Sequence, residues 1–189
     1  MTTVRPAQKR LRTRARIAEH ALDLFERQGF EATTITQIAA AAGVTEMTVF
    51  RHFSSKEQLL LDDPYDPVIA AAVGAQPLDW PPIARAIGGL RSAWEQLPEP
   101  EGETVRRRVR VVAEHDILRA AAWRTNATTE RLISAQLIQD GAEPLRARVA
   151  SGAILAALMA ALYEWAGQQD RSLADAVMVA LSTLEGSHG

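Results

Sequence analysis

The chain has 189 residues, 47% hydrophobic and 23% charged, with a formal net charge of −2, so it is long enough to bury a sizeable core and is not a disordered chain. Its 34 alanines against only 11 glycines and 9 prolines predict helix almost throughout. The absence of cysteine excludes disulfides, thiolate zinc sites, iron–sulfur clusters and a thiol redox switch.

Charge is unevenly placed along the chain. The first sixteen residues carry six basic groups and no acid, ahead of an acidic remainder. Arginines outnumber lysines 19 to 2 throughout, so the local lack of acids is the informative part. A basic front end before an acidic body points to a polyanion partner. The basic N-terminus lacks the apolar core of a signal peptide. The longest apolar stretch, residues 150–163, spans 14 residues, which reads as a buried helix rather than a membrane span. These features lead to the expectation of a cytoplasmic protein without membrane attachment.

In chain order, residues 1–10 read as a flexible arm. A first helix is predicted over residues 11–28 from the helical spacing of Ile17, Ala21, Leu24 and Phe25, with Gly29 as its stop. Thr34 with Gln37 three residues later forms a capping box that opens a second helix. Its apolar face is Ile35, Ile38, Ala39 and Ala42, and Gly43 follows where a left-handed residue is needed. A short third helix follows Thr45 as N-cap and turns Val49 and Phe53 inward. Ser55 and Gln58 open a fourth. The proline- and aspartate-rich segment 62–67 reads as a break and divides a domain of residues 1–61 from one of residues 62–189. Beyond it, helices are expected over residues 82–97, 103–124, 127–140, 145–168 and 173–185, with Ser172 capping the last. The fold class that follows is all-α: an N-terminal three-helix head and a C-terminal helical domain.

Residues 33–59 read helix, cap, Gly-Val, short helix, cap, helix, the order of a helix-turn-helix whose second helix enters the major groove. Ala39 and Gly43 are small enough to let two helices cross closely. Val44, Val49 and Phe53 anchor the recognition helix and leave Glu46, Met47, Thr48, Arg51 and His52 outward. Lys56 lies in the first turn of a helix, where it opposes the helix dipole, and a phosphate contact supplies a reason for it. Arg12 and Arg14, in the acid-free segment, are candidate phosphate contacts.

The stretch RIAEHALDLFERQGFEATTITQIAAAAGVTEMTVFRHFSSKEQLL, residues 16–60, resembles the DNA-binding domain of the TetR family of bacterial regulators. The resemblance implies an all-helical homodimer whose C-terminal domain binds a small effector and dimerises, usually a repressor released from operator DNA by that effector. Carried over to this sequence, it implies DNA contacts from Thr34, Thr36 and Gln37 on the bracing helix. It implies base or phosphate contacts from Thr45, Glu46, Met47 and Thr48, and backbone contacts from His52 and Lys56. Phe50 stands where many members have a tyrosine reaching a phosphate; it would keep the packing and lose that hydrogen bond. Arg51 occupies a variable position from which it can read guanine or bind phosphate. The segments DILRAAAWRTNATTERLI and LRARVASGAILAALMAALYEWAG resemble actinobacterial-type members that sense acyl-CoA-like molecules.

In the second half, Trp80, Trp94, Trp123, Tyr163 and Trp165 are either core filler or the walls of an apolar effector pocket. His115 and Arg119, one turn apart, share a face. His115 cannot join Glu114 and Asp116 around a metal, because adjacent helical residues diverge by about 100°. The effector site is expected from Trp94, His115, Arg119, Trp123, Met159 and Tyr163. The run Arg106–Arg108 with Arg110 reads as a solvated face. Ala153, Ala156, Ala157, Ala160 and Leu162 with Val177, Leu181 and Leu184 are expected in a two-fold four-helix interface. The expected partners are double-stranded operator DNA, a small effector and a second copy of the chain, with no cofactor, no metal and no catalytic set. A DNA-binding protein with no effector, of regulatory or architectural kind, is the alternative. A helical enzyme or carrier is the other, and no nucleophile triad, paired carboxylates or phosphate loop supports it.

Overall fold

The computed structural model describes residues 4–61, 66–96, 102–168 and 170–186. Ten helices and no strand lie among the described residues: α1 Val4–Gln28, α2 Ile35–Ala41, α3 Glu46–His52, α4 Gln58–Leu61, α5 Asp66–Gly74, α6 Pro82–Gln96, α7 Gly102–Glu114, α8 Asp116–Gln139, α9 Pro144–Gly167 and α10 Leu173–Gly186. They form two compact units, residues 1–62 with 111–119, and residues 63–110 with 120–189. Sequence reading had grouped residues 111–119 with the second half.

Local chemistry sets the first unit. Residues 4–10, read as an arm, are helical. Pro6 falls in the first turn, where a missing N–H breaks no intrahelical bond, and Ala7, Gln8, Lys9 and Arg10 all favour helix. Thr34 caps α2 with both bonds of the capping box: its hydroxyl accepts from the Gln37 N–H, and Gln37 Oε1 accepts from the Thr34 N–H at 2.9 Å. The helix closes with the Gly43 N–H donating to Ala40 O at 3.1 Å and the Val44 N–H to Ala39 O at 2.9 Å. Gly43 has φ +61°, and a Cβ there would meet nothing within 4 Å. Glycine is therefore required for the left-handed turn, as its place after α2 predicts, and not for close helix crossing. Ile17, Phe25, Phe30, Ile38, Val49 and Phe53 bury all but 3% or less of their surface and hold α1, α2 and α3 together. Each such side chain contributes on the order of 1.5–3 kcal/mol of transfer free energy before chain entropy is set against it.

In the second unit, α5, α6, α9 and α10 surround a core that includes Val73, Ile87, Leu90, Ile154, Trp165, Val177 and Leu181. α5 was not foreseen; its signal is the short apolar run Val68–Val73 before Gly74. Gly89 lets α5 and α6 touch, since a Cβ there would lie 2.5 Å from the Val73 Cα. The break predicted near residue 125 falls at His115 instead. Residues 103–139 contain neither glycine nor proline, and Asp116 supplies the acid that favours a fresh helix start. The Thr125 hydroxyl satisfies itself on Ala121 O, so the helix runs on through residue 125.

α9 is a core helix: Ala147, Ala150, Ser151, Ile154, Leu155, Ala161, Trp165 and Ala166 are buried. Counting only the uninterrupted apolar stretch understated it. All 24 residues form one helix whose most apolar window has a mean hydropathy of 1.6, enough by length and composition alone to cross a bilayer. Its C-terminal end is held by arginines that sequence reading left solvated. Arg106 donates to Gln168 O and lies 4.5 Å over the Trp165 ring, and Arg110 donates to Ala166 O at 3.3 Å. Cations on the last carbonyls of a helix are favoured by its dipole.

Candidate nucleic-acid interface

The seven-residue α3 turns one face away from the core of the first unit. Thr45, extended at φ −86° and ψ 156°, caps the helix by accepting from the Thr48 N–H, and the two hydroxyls lie 3.0 Å apart. With Val49 and Phe53 buried, Glu46, Met47, Phe50 and Arg51 are left exposed and Thr48 and His52 half-buried. Met47 is 78% exposed and Phe50 53%. Phe50 therefore does not keep the packing expected of it; on a helix whose inward positions are Val49 and Phe53, position 50 turns away from the core. Two large apolar side chains open to water on a short helix mark a surface made to be covered.

α2 is tied to α3 through Thr36, whose hydroxyl donates to Glu46 Oε1 at 2.6 Å. Thr34 and Gln37 are exposed, but the Thr34 hydroxyl and Gln37 Oε1 serve the cap, and Gln37 Oε1 also accepts from Gln28 Nε2 at 3.0 Å. Only the Gln37 amide group is left to donate outward.

Among the basic residues expected to meet phosphates, the structure sets Lys56, Arg14 and Arg12 apart from one another. Lys56 Nζ donates to Phe30 O at 2.7 Å and Thr33 O at 3.0 Å and sits 4.2 Å over the Phe30 ring. Its place at a helix start is explained by these carbonyls, which close the turn between α1 and α2, and no phosphate is needed. Arg14 lies 4.2 Å over the Phe53 ring and donates to the His52 carbonyl, so it caps α3 from α1. Arg12 is exposed on α1 beside Gln8, Lys9, Thr13 and Arg16 in an open basic groove.

A second basic cleft of about 370 Å³ joins α1 to α3, lined by Lys9, Arg10, Thr13, Arg51 and His52. Lys9 and Arg10 were missed as site residues; their signal was the same acid-free run that pointed to Arg12. Burial first, then the charges of Arg51, Arg10 and Arg14, hold the His52 imidazole below its ordinary 6.5. Its buried Nδ1 has no hydrogen-bond partner among the described residues. The cleft thus carries three full positive charges, a histidine that would gain charge beside an anion, and no acid.

Of the residues expected around an effector, Trp94, Trp123, Met159 and Tyr163 belong to the second unit. His115 and Arg119 belong to the first unit. The His115 ring meets Phe30 edge-on at 6.3 Å, and its Nδ1 pairs with Val111 O at 2.8 Å. Arg119 and Trp123 are exposed, the latter 51%. Trp94 packs on the core of the second unit, and Met159 and Tyr163 are half-buried on α9. Among the described residues the second unit instead has an apolar groove of about 440 Å³ on α6, lined by Trp80, Ile83, Ile87, Gly88, Arg91 and Leu184. Arg91 pairs with Glu185 at 3.1 Å at its edge. Of this set only Trp80 and Leu184 had been singled out, because residues so far apart in sequence meet only through the packing of α10 on α6.

The expected dimer residues also divide. Val177 and Leu181 are wholly buried within the protomer and cannot meet a second copy. Ala156 and Ala160 are exposed, Ala153, Ala157, Leu162 and Leu184 half-buried. Ala156 and Ala160 continue at helical spacing a stripe begun by Leu145 and Val149, 67% and 62% exposed, and Val179 of α10 is 49% exposed.

Comparison with known proteins agrees in both units. The family model for bacterial regulatory proteins of the tetR family matches residues 17–62, and that for the MftR C-terminal domain matches residues 81–189. The transcriptional regulator TcmR of Streptomyces glaucescens is 38% identical over 96 residues, 50% of this chain and 42% of TcmR. SrpR of Pseudomonas putida is 35% identical over 85 residues, 45% of this chain and 36% of SrpR. The chain therefore spans less than half the length of these curated relatives. Among solved structures, NalD of Pseudomonas aeruginosa, the secondary repressor of the MexAB-OprM multidrug efflux pump, superposes with a TM-score of 0.59 at 23% identity over 94% of this chain and 96% of its own. SmeT, repressor of the Stenotrophomonas maltophilia pump SmeDEF, gives 0.59 at 19% identity over 92% and 89%.

Proposed function

The chain belongs to the tetR family of bacterial helix-turn-helix transcription regulators, and from that premise we propose that it is a repressor that binds a near-palindromic operator as a homodimer and is released by a small, largely apolar effector. The observation that carries the DNA reading is the face of α3. A capped helix, anchored by Val49 and Phe53, turns Glu46, Met47, Phe50 and Arg51 outward with cations from α1 beside it. Phosphate contacts from Arg10, Arg12, Arg51 and His52 would set register, and the α3 side chains would read base edges.

A second copy is supported by the apolar stripe of α9, where Leu145, Val149, Ala156 and Ala160 lie open, and by the exposed Val179 of α10. Small residues in that stripe allow two helix pairs to approach closely. Two-fold symmetry then presents two recognition helices to successive turns of one DNA face, about 34–36 Å apart. The groove lined by Trp80, Ile83, Ile87 and Leu184 supports an apolar effector site in the second unit. An effector acts only through unequal affinity for DNA-competent and incompetent dimers, with coupling on the order of 1–3 kcal/mol.

Unbiased selection of bound duplexes by the full chain tests this reading. A two-fold symmetric motif is expected. A panel of apolar and acyl compounds should contain one that raises the melting temperature and weakens binding to that motif. No preference for any duplex over random competitor at moderate salt would overturn it.

A further inference from the structure

Resting on the DNA reading of α3, we propose that Glu46, positioned by Thr36, is the side chain that selects cytosine in the operator. A carboxylate on a DNA-facing helix is unfavourable by default, because it meets phosphates of its own sign. Here it is nevertheless fixed in place. Glu46 is the first residue of α3, exposed, and its Oε1 accepts the Thr36 hydroxyl from α2 at 2.6 Å. No ion pair among the described residues involves it. The Thr36 bond also links the two helices of the motif, so the carboxylate moves with the pair rather than as a free side chain.

An ionised carboxylate only accepts hydrogen bonds, and after Thr36 its other oxygen keeps both lone pairs. The hydrogen-bond donors of the major groove are the exocyclic amines of cytosine and adenine. Adenine sets its N7 acceptor beside that amine and repels an anion; cytosine offers its N4 donor without an adjoining acceptor on the same base. Acceptor-only chemistry held at a fixed point therefore favours cytosine. The neighbouring Met47, 78% exposed, has no polar group able to compete for that donor.

Duplex selection followed by competition binding tests the inference on the full-length wild type, Glu46→Gln and Thr36→Val. Both substitutions are at exposed positions outside the core. The wild type should fix a cytosine at one symmetric position of each half-site and lose about tenfold or more in affinity when that base pair is changed. Glu46→Gln should move the preference there to adenine, since an amide pairs with both N6 and N7. Thr36→Val should shrink discrimination at that position to below about threefold, and undiminished discrimination there would remove Thr36 from the inference. An unchanged base preference in Glu46→Gln overturns the inference and leaves the DNA reading standing. So does tighter binding of Glu46→Gln to every duplex alike, which would make the carboxylate a mere repeller of phosphate. A wild type that selects no sequence overturns both.

Discussion

Replacing Lys56 by methionine separates a structural lysine from a DNA contact. The substitution keeps the apolar stem and removes the ammonium that donates to Phe30 O at 2.7 Å and Thr33 O at 3.0 Å and lies 4.2 Å over the Phe30 ring. A hydrogen bond from a charged donor has a net worth of about 1.5–3 kcal/mol, and a partly exposed cation–π contact about 0.5–1. Lys56 is half-buried, so water can replace part of both bonds, and Phe30 O keeps the Thr33 N–H at 3.4 Å as a second donor. The low ends of the three contributions come to about 3.5 kcal/mol, and with water replacing part of both bonds the loss should be about 2–3 kcal/mol. All four tryptophans lie at residue 80 or beyond, so intrinsic fluorescence does not report on the first unit. Amide hydrogen exchange does: protection of α2 and α3 should fall roughly 30- to 150-fold in Lys56→Met. The slope of log affinity for DNA against log salt should stay where it was, whereas loss of a phosphate contact would reduce it by about 0.9. Unchanged protection together with a slope lower by about that amount would refute the structural assignment and return Lys56 to the phosphates.

Further outcomes follow from the same contacts. His52 is held below 6.5 by burial and by Arg51, Arg10 and Arg14, so the unfolded chain binds the extra proton first and stability falls as pH drops through the depressed value. A phosphate favours the imidazolium instead, so DNA affinity should rise as pH falls from about 7.5 to about 6, and His52→Gln should flatten that rise. The Asp140 carboxyl is held below its ordinary 3.8 by hydrogen bonds from Arg85 and Gln136, so its contribution is complete above that value and is lost on further acidification. Asp140→Asn should be less stable than wild type at neutral pH, because it strands the buried Arg85, and should show a shallower loss below about pH 4 in denaturant titrations. Ala156→Arg puts a long charged side chain on the exposed stripe of α9, and sedimentation should then give the 20.6 kDa protomer where the wild type gives twice that mass. A wild type sedimenting at 20.6 kDa would exclude the proposed dimer.

What the sequence determined by itself was local. Thr34 with Gln37, Thr45, Gly43 and Ser172 act over three or four residues, within reach of neighbouring backbone groups, so caps, turn and helix order at both ends of the chain could be read directly. The inward turn of Val49 and Phe53 followed from the helical period, and residues 16–60 carried their family in the open. Tertiary packing decided what each exposed-looking charge does. Lys56 and Arg14 read as DNA contacts from position, yet carbonyls at Phe30, Thr33 and His52, brought near only by the fold, claim them. Arg106 and Arg110 likewise turned from a solvated run into caps on a helix some sixty residues away. Val177 and Leu181 share the helical spacing of interface residues but face the protomer's own core, because period fixes that a helix has an apolar face and not which body covers it. Of the groove at Trp80, Arg91 and Glu185 the chain signalled only Trp80, as a possible pocket wall, since the groove itself exists only where α10 meets α6.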